Sequence, residues 1–128
     1  MSFPEIIGIM QGRLTEPRNG KIQSFPVNNW DQEFELAAEI GFNCIEWVID
    51  DDGIDTNPLF SVSKRKTIKS MCEKYNISIP AVCHDQLMDI PLHSQNNNTA
   101  ELAVDILHKT IESCESLEIQ FIEIPLIG

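Results

Sequence analysis

Hydrophobic residues along the chain are concentrated in four short runs, which cover residues 5–10, 43–49, 77–83 and 119–127. Between these runs, apolar residues recur at the spacing of one helical face. Near-continuous apolar strands that alternate with helices are typical of a parallel sheet covered by helices. The pattern therefore predicts an α/β fold of element order β-α-β-α-β-α-β, in a single domain over residues 1–128.

Three helices are predicted between the strands. The first begins at Asn29, a suitable N-cap residue, and stops at Gly41. The second ends at Asn76, which tolerates the left-handed conformation after a helix, and the third begins at Thr99. The apolar stripes predicted to face the sheet are Trp30, Phe34, Ala37, Ala38 and Ile40, then Ile68, Met71, Cys72 and Tyr75, then Leu102, Ala103, Ile106, Leu107, Thr110 and Cys114.

The connections between these elements differ in length. Connections from a helix to the next strand are only a few residues, whereas those from a strand to the next helix are long and polar, over 11–29, 50–62 and 84–98. In α/β folds, ligands bind at the carboxyl ends of the strands, where the long connections meet. The functional site is therefore predicted there, and Gln11 and Arg13 directly follow the first strand.

Composition narrows the possible partners. The formal net charge is −11, from 20 acidic and 9 basic residues, which disfavours binding to nucleic acid or to an anionic membrane. The amino terminus has no secretory pattern and no apolar run is long enough to span a bilayer, so a cytoplasmic location is predicted. The cysteines form no CxxC pair and are interpreted as reduced, buried thiols: Cys44, Cys72, Cys83 and Cys114.

Glu46 is a carboxylate in the middle of an apolar strand, on the same face as Cys44 and Val48. Such a position is costly unless the carboxylate is paired or used. Two interpretations follow: Glu46 lines a pocket, or it forms a structural ion pair, for example with Arg13. Glu123 repeats this situation in the last strand, and the sequence leaves open whether it faces the pocket or the helices.

Several motifs occur in order along the chain: GIMQGRL, then W..EF..A.EIGF..IEW..D, then IP.VC, and finally IEIPL. Together they resemble the xylose isomerase-like TIM barrel superfamily, and specifically its sugar phosphate isomerase/epimerase branch. That branch includes the L-ribulose-5-phosphate and hexulose-6-phosphate 3-epimerases. The resemblance covers essentially the whole chain, and it implies that these residues form strands one to four, the N-terminal half of a (β/α)₈ barrel.

The resemblance also implies an activity. Family members use a divalent metal (Mn²⁺, Zn²⁺ or Mg²⁺) and paired glutamates to move a proton between neighbouring carbons of a sugar or sugar phosphate through an enediolate. The metal-binding Glu, Asp, His and Glu belong to strands five to eight. The resemblance therefore implies that this chain binds no metal itself and is inactive alone, and that it contributes only when part of a complete barrel.

Four residues are candidates for the substrate site by this resemblance. Gln11 and Arg13 match the tip of strand one, where side chains touch the substrate, although Arg13 is also interpretable as a loop arginine paired with nearby acids. Glu46 matches a pocket-lining glutamate. His84 has counterparts that bind metal or substrate and is the candidate catalytic residue; the alternative is a hydrogen-bonded loop histidine. Asp85 is a weaker candidate.

Two other functions stay open at this point. The chain is interpretable as a non-catalytic half-barrel that associates with itself or with a partner, because strands one and four of a four-stranded sheet have unpaired edges. Phosphodiester cleavage of the endonuclease IV type fits the same fold and His84, although the acidic balance disfavours it.

Overall fold

The computed structural model describes residues 6–51 and 53–127. Its strands are β1 Gly8–Met10, β2 Cys44–Ile49, β3 Ala81–His84 and β4 Phe121–Glu123. Its helices are α1 Gln32–Ile40, α2 Gly53–Thr56, α3 Val62–Tyr75, α4 Gln86–Asp89 and α5 Asn97–Ser116, with short 3₁₀ segments at Arg18–Gly20 and Pro58–Phe60.

The four strands form one sheet in the order β1-β2-β3-β4, and every neighbouring pair is parallel. With helices between successive strands, this is the arrangement of half a TIM barrel, and the predicted fold class is confirmed. The strands are shorter than the apolar runs that predicted them. In the register, Met10 lies opposite Glu46, and Cys83 lies opposite Glu123.

The sheet has two different faces. On the helix-covered face, alternate strand residues pack into the core together with helix side chains; this core includes Ile45, Trp47, Ile49, Val82, Phe34, Ala37 and Ile68. The opposite face is here called the open face. By register and alternation it carries Gly8, Met10, Cys44, Glu46, Val48, Ala81, Cys83, Phe121 and Glu123.

Both helix starts that were predicted are wrong by a few residues. Asp31, not Asn29, caps α1, since its carboxylate accepts a 3.0 Å hydrogen bond from the next backbone amide. Asn96, not Thr99, caps α5: its side-chain oxygen accepts from the amides of Asn98 (3.0 Å) and Thr99 (3.3 Å). Thr99 is thus a capped residue inside the first turn, and the helix begins earlier than its apolar stripe.

Both predicted helix ends are confirmed. Gly41 and Asn76 adopt the left-handed conformation, with φ of 105° and 52°.

Two residues of the apolar stripes do not face the sheet as predicted, because Ile40 is 61% exposed and Leu102 is 49% exposed. Ile40 is the last residue of α1 and Leu102 lies in the second turn of α5, and helical spacing alone does not predict how far along a helix the core extends. Within residues 6–51 and 53–127, no helix has the length and apolar character needed to cross a bilayer.

The strand-to-helix connections were predicted as long polar segments, and each of the three contains short helical structure: Arg18–Gly20 in the first, α2 with Pro58–Phe60 in the second, and α4 in the third. Asn57 holds the second connection against β2. Its Oδ1 accepts from Trp47 Nε1 at 2.9 Å and from the Leu59 amide at 3.1 Å, while its Nδ2 donates to the Val48 carbonyl at 2.9 Å. The connection is therefore fixed to the carboxyl end of the sheet.

Candidate functional site

Three titratable side chains lie close together on the open face, near the carboxyl ends of the strands. Glu46 on β2, Cys83 on β3 and Glu123 on β4 place their carboxylate and thiol atoms within 4.8 Å of one another. They come from three adjacent parallel strands, and Cys83 is the direct register partner of Glu123. The structure therefore answers the question that the sequence left open, since Glu123 shares a face with Glu46.

The electrostatics of this group favour protons or cations. Burial raises the pKa of Glu46, and the neighbouring charge of Glu123, its hydrogen bond and then the charge of Asp85 raise it further. Burial, followed by the hydrogen bond to Asp85 and the nearby carboxylates, raises the pKa of the Cys83 thiol far above its usual range. The thiol is therefore protonated at neutral pH, and the two glutamates repel each other when both are ionised.

Asp85 and Gln23 extend this group. The Cys83 thiol donates to Asp85 Oδ1 at 3.2 Å, and Gln23 Nε2 donates to Asp85 Oδ2 at 2.6 Å. Gln23 belongs to the first strand-to-helix connection, so it reaches across the sheet to β3. Sequence reasoning missed both Gln23 and Cys83. For Cys83 a signal was available, because strand alternation places either Cys83 or His84 on the open face, but not both.

His84 is buried on the helix-covered face. Its Nε2 lies 2.9 Å from the hydroxyl of Thr110 on α5, and that hydroxyl donates to the Ile106 carbonyl at 2.8 Å. Thr110 therefore accepts from His84 Nε2–H, and this fixes the neutral tautomer. Burial lowers the pKa of His84 to about 4. The ring does not share a face with Glu46, and its position corresponds to the alternative interpretation, a hydrogen-bonded structural histidine.

Gln11 lies at the carboxyl end of β1, and it also completes the hydrogen bonding between β1 and β2. The residue is 1% exposed, and its Oε1 accepts from the Val48 amide at 3.0 Å. Its own amide donates to the Glu46 carbonyl at 3.0 Å. The side chain thus takes the place that the next β1 carbonyl would occupy in a parallel ladder. Gln11 Nε2 is buried and has no hydrogen-bond partner within the described part of the chain, so one donor is left beside the site.

Arg13 lies on a loop that is wrapped around a buried carboxylate. Glu33 is 1% exposed, and it accepts from the amides of Gly12 (2.7 Å), Leu14 (3.0 Å) and Thr15 (3.1 Å). Arg13 itself is exposed. It forms no ion pair with any residue in 6–51 or 53–127, so the structure does not contain the Glu46 pair that the sequence allowed.

Comparison with known families decides the classification. Residues 34–126 match the family model of the xylose isomerase-like TIM barrel. The chain belongs to the xylose isomerase-like TIM barrel family. The matched segment contains Glu46, Cys83 and Glu123, whereas Gln11 and Arg13 precede it. None of the curated proteins matches the chain.

Family membership raises the question of a metal. The resemblance places the ligands on strands five to eight, which lie outside the four strands seen here. Among residues 6–51 and 53–127, the donors that would hold a cation are Glu46, Cys83 and Glu123. Two carboxylates and a thiol suit Zn²⁺, which accepts oxygen and sulfur ligands, better than Mg²⁺, which prefers oxygen alone. That this chain binds no metal ion itself stays a prediction.

Proposed function

We propose that this chain forms one side of the substrate site of a sugar or sugar phosphate isomerase or epimerase. The observation that carries the proposal is the convergence of Glu46 and Glu123 on the open face, at the carboxyl end of the sheet. Carboxylates in such a pair accept hydrogen bonds from sugar hydroxyls, and a carboxyl group with a raised pKa is suited to proton exchange. Family membership supports the barrel framework around them.

The charge of the group indicates how a substrate is oriented. Glu46, Glu123 and Asp85 repel a phosphate, so this side of the site is suited to the hydroxyl-bearing carbons. If the substrate is phosphorylated, its phosphate lies away from these strands. Arg13, exposed at the end of β1, is the basic side chain in this chain that we assign to an anionic group.

Catalysis in this proposal requires further β/α units that complete the barrel. A divalent metal, when bound, polarises the carbonyl and hydroxyl of the substrate. The residues of this chain bind and orient the hydroxyls, and Glu46, whose pKa is raised by burial and by the neighbouring Glu123, exchanges a proton. Association with the remaining units is supported by the sheet edges, where Ile6 on the β1 side and Phe121 on β4 are exposed.

The proposal is tested by titrating the isotope-labelled chain with a panel of ketoses and ketose 5- and 6-phosphates while recording backbone amide spectra. We expect shifts at Glu46, Cys83 and Glu123 for at least one sugar, and about a tenfold weaker affinity in Glu46→Gln. Glu35→Gln, on the exposed side of α1, is the matched control. The proposal is wrong if no sugar at millimolar concentration shifts the open face. Metal-dependent turnover by the monomeric chain would show that completion of the barrel is unnecessary.

A further inference from the structure

Large apolar side chains are exposed at the two lateral edges of the half-barrel. Among the described residues, β1 pairs only with β2 and β4 only with β3, so each outer strand has one edge without a strand partner. Ile6 and Ile7 are exposed at the β1 edge, and Phe121 and Leu126 are exposed at the β4 edge. Each edge therefore offers unpaired backbone groups together with apolar surface.

The helix beside β4 has an apolar stripe outside the core. The stripe has the spacing of one helical face and consists of Ala100, Val104, Leu107 and Ile111. Val104 and Ile111 are 44% and 47% exposed. Val104 lies about two and a half turns before Ser113, whose hydroxyl accepts from Arg65 on α3 at 3.3 Å. The stripe therefore faces away from α3, on the flank of α5 where the next helix of a barrel packs.

The helix beside β1 is also apolar where it is exposed. Ile40 is the last residue of α1, and half-buried Leu36 lies one turn before it. The end of α1 is tied to the start of β1, because Asn43 Oδ1 accepts from the Ile7 amide at 2.8 Å. By contrast, α3 lies between α1 and α5, and Val62 at its first position is its one exposed large apolar residue in a helix that is described throughout. Both flanks of the half-barrel are thus apolar in the helix layer as well as in the sheet.

We propose that a second copy of the chain covers these flanks, in a two-fold symmetric dimer that closes a barrel of eight parallel strands. β4 of each copy pairs with β1 of the other, and the Val104–Ile111 stripe of α5 packs on the Ile40 end of α1. The family to which the chain belongs has the TIM barrel fold, and two sets of four parallel strands supply the strands of such a barrel. Because one chain carries both flanks, two identical contacts close the ring and no other protein is needed.

Apolar burial, not charge, stabilises this dimer. Each copy has a net charge of −11, so the two copies repel each other. The opposing attraction comes from the exposed aliphatic and aromatic side chains of the flanks, since each Å² of apolar surface removed from water contributes about 25 cal/mol. Higher salt concentration screens the repulsion and is therefore expected to strengthen the dimer.

The dimer completes the candidate site. Glu46 and Glu123 lie near the carboxyl ends of β2 and β4, and the two-fold axis places the same pair from the second copy on the opposite side of one barrel mouth. Both copies then contribute residues to a single site. The dimer rests on the proposed function, for which it supplies the further β/α units, but its assembly is measured without any substrate.

Sedimentation velocity at micromolar concentrations, without sugar, tests the dimer. We expect a species of twice the 14.5 kDa mass of the chain. Val104→Glu puts a charge into the proposed contact and is expected to weaken association about tenfold or more. Val62→Glu makes the same change at a 68% exposed position of α3 and is expected to stay within about twofold of the wild type. Circular dichroism checks that both variants are folded.

A mixture of two variants tests which flanks meet. Ile40→Glu is expected to weaken the dimer as Val104→Glu does, because each contact joins α5 of one copy to α1 of the other. In a mixed dimer, both substitutions lie in one contact and the second contact is wild type. The mixture is therefore expected to associate more tightly than either variant alone, and an absence of this rescue would overturn the proposed pairing.

Other outcomes also overturn the dimer. A chain that stays monomeric at submillimolar concentration would do so, although the sugar site would stand if a sugar still shifts the open face. Filaments would exclude a closed ring, equal weakening by Val104→Glu and Val62→Glu would show that the flanks are not the contact, and weakening by salt would indicate an ion-paired interface instead. Conversely, a stable dimer whose open face no sugar shifts would leave the ring intact and remove the proposed function.

Discussion

The backbone amide of Gly12 donates a 2.7 Å hydrogen bond to the buried Oε1 of Glu33. The amides of Leu14 and Thr15 and the Thr15 hydroxyl donate to Oε2 of the same carboxylate, so the loop after β1 is folded around one side chain of α1. This relationship fixes where Arg13 is presented at the carboxyl end of the sheet.

Replacement of Glu33 by alanine is expected to lower the free energy of unfolding by about 3 kcal/mol, because the buried amide of Gly12 and the half-buried amides of Leu14 and Thr15 lose their shared acceptor. Urea denaturation followed by circular dichroism measures the change. Glu35→Ala, two residues further along the same helix and exposed, is expected to change the stability by no more than about 0.5 kcal/mol. Equal effects of the two variants would show that the loop does not depend on Glu33.

The conformation of Gly12 gives a second prediction. Gly12 has φ of 88°, and a Cβ there would overlap the carbonyl oxygen of Ser24. Gly12→Ala is therefore expected to cost about 3 kcal/mol or more, since backbone must move. Gly20 also has a positive φ, 69°, but nothing lies within 4 Å of its Cβ position. Gly20→Ala is expected to cost only about 1 kcal/mol in the same denaturation experiment, and a larger loss there than at Gly12 would contradict the described packing.

The burial of His84 predicts a pH dependence of stability. Its pKa falls from 6.5 to about 4 on folding, so the unfolded chain binds more protons between these values. Stability is therefore unaffected by this group above pH 6.5 and decreases as the pH falls towards 4. The loss is on the order of 3 kcal/mol at about 1.36 kcal/mol per pKa unit.

Unfolding free energies measured from pH 7 to pH 4 in wild type and His84→Gln isolate this contribution from that of the carboxylates. The variant is expected to show the shallower decline, because it has no ring to protonate. His93→Gln changes an exposed histidine and is expected to keep the wild-type slope. A slope for His84→Gln that matches the wild type would mean that the imidazole is not held neutral.

The interaction between Glu46 and Glu123 predicts that removal of the Glu123 carboxylate changes the pKa of Glu46. Because the charge and hydrogen bond of Glu123 raise the pKa of Glu46, Glu123→Gln is expected to lower that pKa, while the part that comes from burial persists. Carboxyl ¹³C chemical shifts recorded through a pH titration report the change directly. Glu101→Gln, on the exposed side of α5, is the control. An unchanged Glu46 titration would show that the two carboxyl groups do not interact, and the proposed sugar site would lose its main support.

Much of the fold was predictable because it depends on local rules. The parallel order followed from apolar runs that alternate with helices, and the ends of two helices followed from Gly41 and Asn76, which accept left-handed backbone conformations. The helix starts were less predictable, since Asn29 and Asp31 are both good caps and only the path of the chain selects between them.

The site was predictable only in part, because it depends on which face each strand residue occupies. The orientation of Glu46 followed from alternation, whereas that of Glu123 required the register of β4 against β3. His84 was chosen for its chemistry, but the same alternation places Cys83 on the open face and His84 among the helices. Gln23 and Glu33 act across more than fifteen residues of sequence, through contacts that no local pattern encodes.

The Gln11 side chain, in place of a backbone carbonyl of β1, accepts the hydrogen bond from the Val48 amide, and this has a consequence for protein engineering. Since the amide of Val48 is satisfied by that side chain and not by the residues that follow β1, the hydrogen bonding of β2 ends independently of the loop above it. The exposed part of the loop, residues 16–22, can therefore be exchanged for sequences of other lengths, as in a grafted specificity loop, with the neighbouring strand left intact as long as Gln11 and the residues that bind Glu33 are kept.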